Sequence, residues 1–158
     1  MTDRLFILNG PNLDMLGRRE PHVYGQVTLA EIEKRCRLLA LELRFEVFFG
    51  QSNHEGQVVD WLHEAHDDAA AVLINPAGLS TRSVAVLDAL KVIAQPVVEV
   101  HLSNVFAREP IYHSDLVTAR AADAFVAGFG AAGYELGMHG VRVLREGAAP
   151  SRATTSAP

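Results

Sequence analysis

At 158 residues the chain is the size of one domain, and its composition, 49% hydrophobic and 21% charged, is that of an ordinary globular protein. A formal net charge of −5, from 14 basic and 19 acidic residues, argues against a nucleic-acid binder, which carries a basic patch or a high pI. It leaves room for a local basic site for an acidic small molecule.

Leu5-Phe6-Ile7-Leu8 is a short apolar run that ends in the turn cluster Asn9-Gly10-Pro11-Asn12, and so predicts a buried strand. Residues 28–43 give the clearest helix: Leu29, Ile32, Cys36, Leu39 and Leu43 recur on one face. Thr28 followed three residues later by Glu31 is a capping box that marks its start. Cys36 is the single cysteine; an intrachain disulfide is excluded, and its place on the apolar face makes it a core thiol. Residues 45–49 predict a second strand and 55–69 a second helix, with Val58, Val59, Leu62 and Ala65 inward. A third strand at 72–74 stops at Asn75-Pro76, and a third helix follows at about 83–93. Pro96 opens a fourth strand, 97–101. A fifth, 124–127, precedes a last helix at about 131–145. Residues 1–146 then form one domain, and 147–158, rich in Ala, Ser, Thr and Pro, a disordered tail.

Five alternations of strand and helix predict an α/β domain: a flavodoxin-like, doubly wound parallel sheet of five strands. No stretch approaches the ~18 apolar residues of a membrane span. The run after Met1–Arg4 is too short for a secretory signal, so a cytoplasmic location is expected.

Ligands of such folds sit at the carboxyl ends of the strands, so the residues there carry the functional question. The first strand is followed by a long loop, 10–27, that holds Asn12, Arg18, Arg19, Glu20 and Tyr24. A structureless loop of that length is unusual inside a domain and suggests a functional segment over a site. Glu99 and His101 are two apart on the fourth strand and share a face. A glutamate in a buried strand needs a partner; paired with it, the imidazole would be held in one tautomer and favoured as a proton donor. Spacing alone leaves a purely structural Glu–His pair equally open. Leu102-Ser103-Asn104 and Arg108 follow, and Asn75 with Ser80, Thr81, Arg82 and Ser83 ends the third strand and opens a helix, where donors suit an anion.

Three other patterns mislead. His63-Glu64-Ala65-His66 has its histidines three apart, one short of a zinc-protease helix, and predicts a solvated face. Gly128, Gly130 and Gly133 fit GxGxxG, but no further strand remains to supply a ribose-binding acid, so they predict close helix–strand packing. Ser103 with His101 lacks a nucleophile elbow.

The chain resembles the type II 3-dehydroquinate dehydratases from Leu5 to about Arg145. The resemblance is carried by Ile7-Leu8-Asn9-Gly10-Pro11-Asn12-Leu13, by Leu16-Gly17-Arg18-Arg19-Glu20-Pro21 with Tyr24-Gly25, by Gln51-Ser52-Asn53-His54-Glu55-Gly56, and by 96–104 followed by Ala107-Arg108-Glu109-Pro110. It implies no metal and no organic cofactor, and a homo-oligomer built as a dodecamer of four trimers; charge and the lack of a long apolar run argue against a nucleic-acid or membrane partner. It implies anti elimination of water from 3-dehydroquinate to 3-dehydroshikimate through an enolate. Tyr24 would be the base; free tyrosine titrates at about 10, and Arg19 and Arg108 would favour its anion. Asn12 would stabilise the enolate oxygen through a water, and His101, oriented by Glu99, would protonate the departing hydroxyl. Asn75, Leu102 and Ser103 would hold the C1 hydroxyl and carboxylate, and Asp88 of a neighbouring subunit would reach the ring hydroxyls.

The chain departs from the family pattern on one side of the ring. Thr81 stands where the family carries a histidine, an arginine is missing near Tyr112 and His113, and Phe106 replaces a frequent histidine. The elimination residues are intact. The expectation is an active enzyme with an altered C4/C5 pocket, in which Arg82 replaces lost contacts or the substrate is a related cyclic keto-acid. A non-catalytic oligomeric binder of a small acid, and a nucleotide-binding module using Gly128–Gly133, are the readings from other classes.

Overall fold

The computed structural model describes residues 2–147; the tail expected beyond the last helix lies, from residue 148 on, outside the described residues. Strands β1 (Asp3–Asn9), β2 (Phe45–Gln51), β3 (Ala71–Asn75), β4 (Val97–His101) and β5 (Ala124–Ala127) form one sheet in the order β2-β1-β3-β4-β5. Every neighbouring pair is parallel. This is the doubly wound arrangement that the alternation predicts.

The strands at the centre are buried along nearly their whole length, which is why they read as continuous apolar runs. Their side chains still alternate between two cores. Leu5, Ile7, Leu73, Val98 and Val100 pack with helices α2 (Leu29–Leu43) and α5 (Ala132–Glu146). Phe6, Leu8, Val72, Ile74 and Val97 pack with α3 (Glu55–Asp68) and α4 (Val84–Lys91). The capping box is present, with the Thr28 amide donating to Glu31 Oε2 at 2.7 Å and the Glu31 amide to Thr28 Oγ1 at 3.3 Å. Cys36 is buried, and desolvation pushes its thiol up to about 12. His63 and His66 lie on the exposed face of α3. No helix among the described residues is long and apolar enough to cross a membrane.

The segment after β1 is more ordered than its sequence suggests. A 3-10 turn over Leu13–Met15 and a single helical turn, α1 (Pro21–Tyr24), occupy it. Leu13 and Leu16 are buried and tie it to the core. Four residues are too few to show a helical period, and Pro21 at the first helical position is the one local cue. Gly128 and Gly130 turn the chain through positive φ, whereas Gly133 faces Val100 and Val126 and lets α5 approach the sheet.

The chain reverses winding direction between β1 and β3, and the crevice opens where the connections from their paired carboxyl ends leave to opposite faces. Gly10 sits there against the backbone of Pro76: a Cβ on Gly10 would lie 2.3 Å from the Pro76 carbonyl oxygen. Neither backbone can yield, because the Gly10 amide also donates to the Asn75 carbonyl at 2.8 Å. Gly10→Ala should therefore lower unfolding free energy by about 3 kcal/mol, the upper range of overpacking costs. Urea denaturation checks this; a loss below about 0.5 kcal/mol would show that the crevice floor can relax.

Candidate active site

Three strand ends and two loops converge on the crevice. From the β1 end come Asn12, Arg19 and Tyr24; from β3, Asn75, Thr81 and Arg82; from β4, His101, Leu102, Ser103, Arg108 and Tyr112. Together they line a cavity of about 280 Å³, at the small end for ligand sites. Three arginines face one small cavity in a chain of net charge −5, so the anion site left open by composition is a local one.

The floor is polar and fully paired. Asn75 Nδ2 donates to the Tyr134 hydroxyl at 3.0 Å, and that hydroxyl donates to Asn9 Oδ1 at 2.6 Å. Asn9 Nδ2 donates to the Gly50 carbonyl at 3.0 Å. Burial and the apolar surroundings push the Tyr134 phenol well above its ordinary range, so it serves as a neutral hydrogen-bond bridge. Asn75 Oδ1 accepts from the Ala77 amide at 3.2 Å, turning the chain where Ala77 takes φ 51°.

His101 is 6% exposed and Glu99 0%. The Glu99 carboxylate lies 2.7 Å from His101 Nε2 and accepts from Thr118 Oγ1 at 2.8 Å on its other oxygen. Both carboxylate oxygens are thus occupied, and the pairing leaves Nδ1 as the imidazole nitrogen available for proton transfer. Phe125 packs against the imidazole with ring centroids 5.3 Å apart.

Across the cavity, Arg108 Nη1 donates to the Tyr24 hydroxyl at 2.8 Å. The Arg19 guanidinium lies 5.1 Å from the Tyr24 ring centre and is partly engaged by Glu20 at 3.2 Å. Asn12 lies at the rim in a left-handed conformation, with its amide donating to Asn53 Oδ1 at 2.8 Å. Gln51 Nε2 also donates to that oxygen, at 3.2 Å.

Of the residues singled out by sequence, Asn12, Arg19, Tyr24, Asn75, Thr81, Arg82, His101, Leu102, Ser103, Arg108 and Tyr112 meet at this cavity. Glu99 stands behind it. Asp88 does not line its own chain's cavity; it is exposed on α4 beside Lys91, 3.8 Å away. Among the described residues no group of His, Cys, Asp and Glu is arranged to hold a metal. Thr118 and Tyr134 escaped the sequence reading. A signal existed for Tyr134, an aromatic on the apolar face of α5 whose hydroxyl needs a buried partner; Thr118 opens a short 3-10 turn, Thr118–Ala121, that carries none.

Known proteins match along almost the whole chain. The model of the family described as dehydroquinase class II matches residues 3–142. A 3-dehydroquinate dehydratase of Rhizobium meliloti is 49% identical over 146 residues, covering 92% of this chain and 98% of the relative. The 3-dehydroquinate dehydratase 1 of Agrobacterium fabrum is 49% identical, with coverage of 90% and 97%. The solved type II dehydroquinase of Propionibacterium acnes superposes with a TM-score of 0.85 at 38% identity, covering 93% of this chain and 99% of that one. The fold, the strand-end cavity and these matches agree, and the chain belongs to the class II dehydroquinase family.

Proposed function

We propose that the cavity eliminates water from 3-dehydroquinate, giving 3-dehydroshikimate through an enolate, with Tyr24 as base and His101 as acid. The carrying observation is the union in one cavity of a phenol bound by a guanidinium at 2.8 Å and an imidazole bound by a buried carboxylate at 2.7 Å. A tyrosinate can remove a proton alpha to a ketone, and Arg108 and Arg19 place two cations beside the Tyr24 phenol. The C–H electrons move into the enolate, whose oxygen Asn12 stabilises through a water. Collapse of the enolate breaks the C1–O bond, and His101 delivers the proton with which the hydroxyl leaves as water. Asn75, Leu102 and Ser103 hold the C1 hydroxyl and carboxylate on the His101 side.

The far side of the ring meets a different surface. Thr81 is short and donates to the Gly78 carbonyl at 3.3 Å, and Tyr112 folds onto Arg108. The C4 and C5 hydroxyls therefore lose contacts, and Arg82 is the group positioned to replace them. Asp88 faces away from its own cavity, so its use requires a second copy of the chain; this supports a homo-oligomer, which we assign as a dodecamer of four trimers. The lone buried thiol of Cys36 suits the cytoplasm.

Purified protein should convert 3-dehydroquinate, followed by enone absorbance, with KM about 30-fold or more above that of the Rhizobium meliloti relative, as two lost polar contacts of ~1–3 kcal/mol each predict. Equal efficiency would sink the altered pocket; no turnover of 3-dehydroquinate or its ring analogues would favour a non-catalytic binder. Tyr24→Phe should abolish solvent exchange of the alpha proton while circular dichroism stays unchanged. Turnover within tenfold of the parent would remove Tyr24 as base. Thr118→Val strips one donor from a buried carboxylate and should cost ~1–3 kcal/mol of stability and about tenfold in kcat, with Thr118→Ser recovering both. A fully active valine variant would show that Glu99 is oriented by His101 alone.

A further inference from the structure

The loop after β4 stacks an aromatic ring on the arginine that holds Tyr24. Arg108 donates from Nη1 to the Tyr24 hydroxyl, and the carbon at the centre of its guanidinium lies only 3.8 Å from the centre of the Tyr112 ring. A 3-10 turn at Pro110–Tyr112, closed by the Tyr112 amide on the Glu109 carbonyl at 3.0 Å, brings the ring back over the guanidinium. His113 Nε2 lies 3.1 Å from the Arg108 carbonyl and ties the backbone of the same loop.

We infer that Tyr112 is a positioning residue for the base: its ring clamps the Arg108 guanidinium on the Tyr24 hydroxyl. A guanidinium stacks face-on to an aromatic ring and still has its N–H edges free to donate in its own plane. Stacking removes the rotamer freedom that would let a half-exposed arginine swing into solvent. A cationic side chain at 112 would do the opposite, because it would repel Arg108. The aromatic ring thus trades a polar contact to the far side of the substrate for a preorganised base. The clamp keeps Arg108 donating to the Tyr24 hydroxyl at 2.8 Å. This inference rests on the reading of Tyr24 as base.

The test compares Tyr112→Phe, which keeps the ring, with Tyr112→Leu, which removes it. The chain has three tyrosines. With Tyr112 replaced, the phenolate absorbance near 295 nm reports Tyr24, since burial pushes Tyr134 well above the ordinary range. The Tyr24 titration midpoint should lie about half a unit or more higher in the leucine variant than in the phenylalanine variant, the size expected of a part-exposed cation–π contact. In turnover, the phenylalanine variant should stay within about twofold of the parent, while the leucine variant loses about three- to tenfold in kcat and its pH–rate limb shifts the same way. Identical titrations for the two variants would overturn the inference, as would a leucine defect confined to KM. If the leucine variant misfolds by circular dichroism, Tyr112→Met, which keeps bulk without a π face, takes its place. The titration requires no substrate, so failure to turn over 3-dehydroquinate sinks the proposed reaction and leaves this comparison to be decided separately.

Discussion

The hydroxyl of Tyr134 holds the ends of β1 and β3 together where the sheet changes direction. A doubly wound sheet opens a crevice at that point, and an open crevice exposes strand ends whose polar groups must be satisfied. Here one phenol, carried by a helix from the far end of the chain, accepts from Asn75 and donates to Asn9. The β3 side of the cavity builds on that bridge: Asn75 is oriented by it, Ala77 is turned by Asn75, and the 3-10 turn at Ala77–Thr81 leads to Thr81 and Arg82. The contact spans 125 residues of sequence, so this side of the site is complete only when the last helix has docked.

The second organising constraint is electrostatic. Glu99 is wholly buried in a central strand, a place where an unpaired carboxylate is heavily disfavoured. His101 and Thr118 satisfy it from opposite oxygens. The imidazole is thereby held on a rigid element with one nitrogen free. The phenol across the cavity is held differently, by two arginines from two loops. Imidazole and phenol are thus oriented by separate parts of the fold, one from the core and one from its covering segments.

Much of this was legible in the sequence because its signals were local. Strands were marked by apolar runs and turn clusters, α2 by its capping box, and Glu99–His101 by the two-residue period of a strand. The resemblance to a family added roles for Asn12, Tyr24 and Arg108, which spacing could only place in an unusual loop. What escaped was either too short or too distant. A four-residue helix at Pro21–Tyr24 has no period to detect. Thr118 and Tyr134 act through contacts across 19 and 59 residues; the apolar face of α5 could mark Tyr134 as buried, but no local pattern names either partner. Asp88 was expected to act from a neighbouring subunit, and on its own chain it lies outside the cavity, exposed beside Lys91.

The single turn that carries Tyr24 is far below the length at which a helix sustains itself in water. It is entered through Glu20 at φ 36° and left through Gly25 at φ 81°, and it owes its shape to what it leans on. The sheet and the Glu99–His101 pair do not lean on this segment, so the covering loops can change residue by residue without disturbing either. Thr81 and Tyr112, which line the cavity from 3-10 turns outside the sheet, share that latitude.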